Sequence, residues 1–339
     1  MKPRPIALVV PLMLVVSAGC GGGAKKAAAP AEAAPVETTT TTAGAVSGTY
    51  PLTGMPATDR AKAARRAVAV KIDNNAAARP QSGIERADLV YEEFTEGITR
   101  FVVVFQSGDA PQVGPVRSVR PADPNIVKPL GGPLVFSGGS PAVLNVVKNA
   151  GLTQVTENDK TTLTRRSGRK APHNLYTTTD LLYAKAGAGA PPPAFATFLR
   201  PDDAVAPTGS TPAATLRLTP APGVTAAYVW NAGARLWSRS TDGKPHMLEG
   251  GAQISPRNII VQFTPYLNFP ADSKVKFPEV IGSGDALVFV NGAQVKAKWN
   301  KSSAAAVTTY TDAGGKPILL APGQTWVHLQ APGSAVTVS

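Results

Sequence analysis

Nine polar residues carry the chemistry that the sequence offers. Asp73, Asn74, Arg79, Glu92, Arg100, Arg117 and Arg120 fall within one stretch of strand-like apolar runs and charged loops. His173 and Asn174 follow in the segment RRSGRKAPHNLY, Arg165 to Tyr176. Arginines bind carboxylate or phosphate through planar forks. Asp73, Asn74 and Glu92 would orient those forks or read hydroxyls. A histidine behind a proline can be a general base or a hydrogen-bonding post, and a lone histidine is more often structural. Gathering many charges is costly unless they pair or meet a ligand. The residues therefore predict one cleft for an anionic ligand, with Asp73, Glu92, Arg100, Arg117, Arg120 and His173 converging on it.

The elements that must position these residues follow from the apolar pattern. Ala67 to Ile72 is a strand candidate that ends at Asp73. Asp88 to Phe94 and Ile98 to Phe105 read as a hairpin around Thr95-Glu96-Gly97. With a three-residue loop, Glu92 faces Arg100, either as a cross-strand ion pair or as part of the site. Phe101 to Phe105 is apolar on both faces, so this strand is expected in the middle of a sheet. Pro115 to Pro121 brackets Arg117 and Arg120 in a rigid loop. Pro133 to Phe136 is a buried strand candidate. Ser137-Gly138-Gly139 then leads to Ser140 and Pro141, a favoured helix cap and first-turn pair. That strand, turn and helix start form either a structural turn or an anion cradle. The spacing is neither a P-loop nor a dinucleotide fingerprint.

The flanking segments have different compositions. A basic n-region and an apolar run from Ile6 to Val16 read as a signal peptide, too short to span a bilayer. Ser17-Ala18-Gly19-Cys20 resembles a bacterial lipobox. The alternative is an ordinary secretory signal with an incidental cysteine, and the chain's one cysteine standing at this position argues against it. Residues 1–19 are thus expected as a lipoprotein signal peptide and Cys20 as the lipidated membrane attachment point. Residues 20–49 are mostly Gly, Ala, Pro and Thr, with almost no large apolar residue, and cannot bury enough surface to fold. As a tether their typical reach is about 30 Å. The Pro- and Gly-rich segment 187–213 reads as a linker between an N-terminal domain, 50–186, and a C-terminal domain, 214–339. The predicted class is α+β: a mixed α/β sheet domain followed by a smaller, mostly antiparallel β-rich domain. Asp242-Gly243 and Asn291-Gly292 mark hairpin turns in the second half.

The 339 residues carry 34 basic against 22 acidic side chains, which favours anionic partners. No basic run interleaved with aromatics stands out, so nucleic acid is not expected. One cysteine and three scattered histidines suggest no metal site, and no cofactor is expected. The four tryptophans could line a sugar-binding face, although core packing is their commoner use.

In order, PLTGMP, VKIDNNAAARPQSGIERADLVYEE, EGITRFVVVFQS, GPVRSVRP, FSGGSP and APHNLY resemble the YerB-like bacterial lipoproteins. DGKPH, NIIVQF, VFVNGAQVKAKWNK and PGQTWVHL resemble that family's C-terminal domain. The resemblance implies a two-domain α+β protein anchored to the outer face of the cell membrane, and it implies no activity. The residues favour an extracytoplasmic lipoprotein that binds an anionic cell-wall polymer or glycan. Two alternatives stay open. One is an enzyme, either a wall-glycan hydrolase using Glu92 or Glu93 or a phosphoglycan transferase with arginines on a pyrophosphate. The other is a scaffold for wall-synthesis proteins that uses the C-terminal sheet.

Overall fold

The computed structural model describes residues 48–339. Cys20, the signal peptide and nearly all of the tether lie outside the described residues. The strand that starts the sheet is β1, Val68–Asp73, buried at every position. Next come β2, Leu89–Thr95, and β3, Ile98–Phe105. β3 pairs antiparallel with both β1 and β2, which explains its two apolar faces. β4, Leu134–Phe136, lies parallel to β1, and β5, Gln154–Thr156, lies parallel to β4.

The second half contributes β6, Thr215–Ala221, β7, Val224–Asn231, and β8, Leu236–Thr241. It continues with β9, Asn258–Phe263, β10, Gly282–Val290, β11, Ala293–Lys301, and β12, Thr309–Thr311. β13, Thr325–Gln330, and β14, Ala335–Val338, end the chain. The main sheet runs β12-β11-β10-β9-β13-β2-β3-β1-β4-β5, with Thr211–Pro212 added on β11. A five-stranded sheet runs from Lys244–Pro245 through β8, β7 and β6 to β14. The class is α+β, with antiparallel pairing dominating the second half.

The main sheet is continuous across the segment expected to separate two domains. β13 lies parallel to β2, with Thr325 to Leu329 beside Leu89 to Glu93. Residues 187–213 therefore do not divide the molecule into two independent sheets. The physical reason lies in β2, whose edge away from β3 would otherwise expose unpaired backbone and buried apolar side chains. Pairing with β13 removes that edge.

Among the described residues four α-helices complete the frame: α1, Arg60–Ala64, α2, Asp123–Val127, α3, Pro141–Asn149, and α4, Thr179–Ala186. Ser140 caps α3 through the Val143 amide, as its sequence predicts. Val127, Val143 and Val147 pack on the face of the main sheet that carries Ala69, Tyr91 and Val102. Leu182 of α4 packs on the opposite face with Val70, Val90 and Phe101. The five-stranded sheet covers that same face further along, through Leu216, Tyr228 and Trp237 against Ile259 and Val261.

Two local expectations change, and one open alternative is decided. The β2–β3 loop has two residues, because Thr95 pairs with Ile98. Positive φ at Glu96 (51°) and Gly97 (83°) gives the twist that a two-residue hairpin needs. The apolar run Ile318 to Leu320 also reads as a strand, but it makes a single isolated bridge, at Leu320. Trp237, Trp299 and Trp326 are fully buried, which assigns them to packing rather than to a sugar-binding face.

Candidate functional site

The parallel strands β1 and β4 end side by side, and ligands of open sheets commonly sit beyond such carboxyl ends. Here β1 ends at Asp73, β4 runs into Ser137-Gly138-Gly139, and β3 begins near Arg100, the partner of Asp73 across the ladder. The Pro115 to Arg120 loop crosses this edge. Asp73 donates its amide to the Pro115 carbonyl at 3.0 Å, and Arg117 donates its amide to the Lys71 carbonyl at 2.8 Å. Ser137 donates to the Arg117 carbonyl and Val119 to the Gly138 carbonyl, which ties the loop to the start of α3. Val116 donates to the Leu175 carbonyl and brings the APHNLY segment alongside.

Side chains converge at this edge. Asp73 is fully buried, and its Oδ2 lies 3.1 Å from Arg117 Nε and 2.7 Å from His173 Nδ1. The Arg117 contact is an ion pair without hydrogen-bond alignment, so that buried Nε lacks a bonded partner. Arg120 donates to Thr95 Oγ1, to the Val119 carbonyl and to Glu96. Arg100 also reaches Glu96, at 3.3 Å. Burial first, then the neighbouring Arg120, pushes the Arg100 pKa down to about 10. Glu96 and Asp73 oppose that fall, and Arg117 adds to it.

Beneath the arginines lies a buried trio. Lys71 Nζ binds the carboxylate of Glu93 and that of Asp123, the latter at 2.7 Å. Asp123 also accepts the Arg120 amide at 2.7 Å, which fixes the loop carrying the arginines. Glu93 has a raised pKa because burial outweighs Lys71 and the adjacent Asp123 adds to the burial effect.

Glu92 belongs elsewhere. The two-residue turn sets Glu93, not Glu92, opposite Arg100, and Glu92 opposite Phe101. Side chains alternate along a strand, so Glu92 faces the other side of the sheet. There it meets Arg239 of β8 at 2.9 Å and His328 of β13 at 3.1 Å. Thr99 donates to Glu92 and accepts from Asn74. Arg239 also donates to Tyr228 and to His246 Nδ1, and the His246 Nε2 side meets Gln81 at 2.9 Å. Burial raises the Glu92 pKa, but Arg239 and His328 overcome it and hold the carboxyl well below its usual range. Burial and then Arg239 push His246 down to about 2. His328 is lowered by burial, and its Nδ1–H suits Glu92 while Nε2 accepts from the Tyr228 hydroxyl.

Of the six residues expected to converge, Asp73, Arg100, Arg117, Arg120 and His173 do so, and Glu92 does not. Asn74 and Arg79 also lie away from the arginines: Arg79 bonds Asn74 and pairs with Asp242. Asn174 is buried and folds the basic loop, accepting from Arg165 and donating to the Arg166 and Arg169 carbonyls. Glu92 and Glu93 are buried on opposite faces, so they do not form the open carboxylate pair of a glycoside hydrolase. Lys71, Glu96, Asp123 and Arg239 were missed as contributors. Lys71 had a signal, a lone cation inside the run AVAVKI. Among the described residues no group of three or more His, Cys, Asp or Glu could hold a metal ion.

The chain resembles known proteins along most of its length. The N-terminal domain of the protein of unknown function family DUF3048 matches residues 52–190, and the C-terminal domain of that family matches residues 216–327. A protein of Bacillus subtilis (strain 168) named "Putative lipoprotein YerB" is 27% identical over 296 residues, spanning 85% of this chain and 88% of the relative. The crystal structure of YerB protein from Bacillus subtilis matches with a TM-score of 0.74 and 25% identity, over 85% of this chain and 99% of that one.

Proposed function

The chain belongs to the DUF3048 family, and from that premise we propose that it is a lipoprotein tethered outside the cytoplasmic membrane that binds an anionic, phosphate-bearing cell-wall component. One observation carries the binding reading: Arg100, Arg117 and Arg120 gather at the strand ends with Asp73 and Glu96 as their carboxylates. The basic balance of the whole chain attracts the same class of ligand. The lipoprotein part rests on Cys20 and its preceding small residues, together with the printed name of the Bacillus relative.

Two experiments test this reading. Titration of the purified chain with glycerol-phosphate oligomers, followed by calorimetry, is expected to give saturable binding that Arg117→Ala weakens by about 1.5–3 kcal/mol, the worth of a charge-assisted bond. Equal binding by wild type and variant removes the ligand assignment. Cys20→Ala is expected to move the protein from the membrane fraction to the medium or to leave an unprocessed precursor. Unchanged processing and fractionation would remove the anchor.

A second reading has one observation in its favour. Buried Asp73 holds His173 Nδ1, the His173 side chain is 19% exposed, and among the described residues the opposite ring nitrogen has no protein partner. That is the arrangement of a general base, and it suits a phosphoglycan transferase. Release of product from a pyrophosphate-linked glycan donor, lost in His173→Gln with binding retained, would establish it. The scaffold reading has less support. Among the described residues, Val229 is the one exposed large apolar side chain on a strand of the five-stranded sheet.

A further inference from the structure

The β2–β3 turn delivers a carboxylate onto the arginine cluster. Glu96 stands at the turn with φ 51°, and its side chain is 44% exposed. Its Oε2 alone meets two guanidiniums, Arg120 Nη2 at 2.5 Å and Arg100 Nη2 at 3.3 Å. Those arginines are themselves buried, with Arg100 at 4% and Arg120 at 8% exposure. Among the described residues neither arginine has another carboxylate within ion-pair distance. Arg100 Nε is buried and has no hydrogen-bond partner among the described residues. Two sequestered cations are thus neutralised by one surface carboxylate on a two-residue turn, and one of their donors is left over.

We propose that Glu96 is a built-in occupant of an anion subsite formed by Arg100 and Arg120, and that a phosphate group of the ligand displaces it. The inference rests on the anionic-ligand reading above and deepens it by naming the ligand group. Asp73 already matches Arg117 and His173. With Glu96 swung out, Arg100 and Arg120 carry two positive charges without a carboxylate within ion-pair distance. A carboxylate ligand would only repeat what Glu96 supplies and would gain little by the exchange. A phosphate monoester or pyrophosphate brings close to two negative charges and three or more acceptor oxygens. It can also satisfy the unpaired Arg100 Nε. The subsite therefore selects a terminal phosphate or pyrophosphate group over carboxylates and over singly charged phosphodiesters. Displacement of an internal competitor lowers the apparent affinity by the fraction of time that competitor is bound.

The test compares wild type, Glu96→Gln, Glu96→Gly and Arg117→Ala as full purified chains, with pyrophosphate and succinate as probes. Glu96→Gln keeps the side-chain shape and removes the competing charge. It is expected to tighten pyrophosphate about tenfold, with succinate remaining much weaker in every variant. Glu96→Gly removes the side chain and relaxes the turn, and its affinity should rise in the same direction. Melting curves identify any variant that fails to fold, and the other Glu96 variant then carries the comparison. Unchanged or weaker pyrophosphate binding in the folded Glu96 variants overturns the occupant. If Arg117→Ala still weakens binding in that case, the anionic site survives and only Glu96's role is lost. If no variant binds pyrophosphate or glycerol-phosphate oligomers, both readings fall. Glycerol-phosphate oligomers with and without a terminal monoester separate the end group from the repeating diester. Equal affinity for the two overturns the end-group selection.

Discussion

Two charged assemblies use neighbouring residues of the same strands, on opposite faces of the main sheet. Glu93 and Arg100 look toward α2 and the Pro115 to Arg120 loop. Glu92 and Thr99 look toward the five-stranded sheet. The second assembly is sealed: Glu92, Arg239, His246 and His328 are all 3% exposed or less. Its ions pair with each other, and the guanidinium also lies 4.8 Å from the centre of the Trp326 ring. It joins side chains from both sequence halves, Glu92 and Gln81 from the first and Arg239, His246 and His328 from the second. The first assembly is graded instead, from fully buried Lys71 and Asp73 to Glu96 at the surface. Similar residue types therefore serve two purposes. Where water is excluded, they fix how two sheets meet. Where one end stays wet, they can exchange an internal partner for an external one.

The largest expected effect lies in the sealed assembly. Arg239→Met strands the Glu92 carboxylate and is expected to cost about 3–5 kcal/mol in denaturant unfolding. Adding Glu92→Leu should recover much of that loss, because an apolar pair replaces a buried ion pair at little cost. A double variant as unstable as the single one would show that the network is not the stitch between the sheets.

Arg120→Ala comes next. This arginine is buried and bonds Thr95, the Val119 carbonyl and Glu96, so its removal should cost about 2 kcal/mol of stability in addition to affinity. That is more than a loop position suggests from sequence. Arg117→Ala, with a side chain about a quarter exposed, should cost about 1 kcal/mol or less in stability while weakening phosphate binding much more. A larger stability loss at Arg117 than at Arg120 would reverse the burial gradient on which the comparison rests.

Acid separates the assemblies by pH. His246 and His328 both have pKa values lowered by burial. The unfolded chain takes up protons at these positions below about pH 6.5, while the folded chain resists, so their contribution to stability falls as the pH drops. Each proton is worth about 1.4 kcal/mol per pH unit in that window. His246→Gln, measured by urea unfolding between about pH 6 and 5, should flatten the slope by about one such proton. An identical slope in the variant would show that His246 is not held neutral. The smallest effect is expected at Lys298 and Asp285, a pair exposed by about two thirds, where Lys298→Ala should change stability by less than about 0.5 kcal/mol.

The sequence by itself determined much of the local frame. Ser140 and Pro141 start α3, Asp242-Gly243 and Asn291-Gly292 turn hairpins with positive φ at all four residues, and Phe101 to Phe105 sits in the interior of a sheet. Composition and local spacing govern these features, so they are readable. The loop arginines and His173 were also legible as candidates for one cleft with Asp73, from their residue types and the prolines beside them, even though His173 lies 100 residues from Asp73. Only the tertiary structure decided which carboxylate joined them. One residue more or less in the β2–β3 turn exchanges the faces of Glu92 and Glu93, and the left-handed conformation of Glu96 settled that parity. Nor could spacing pair β13 with β2 or send Arg239 to Glu92, since those partners are distant in sequence. They meet because β2 needs a neighbour on its free edge and a buried carboxylate needs a cation, and long-range packing alone selects which one.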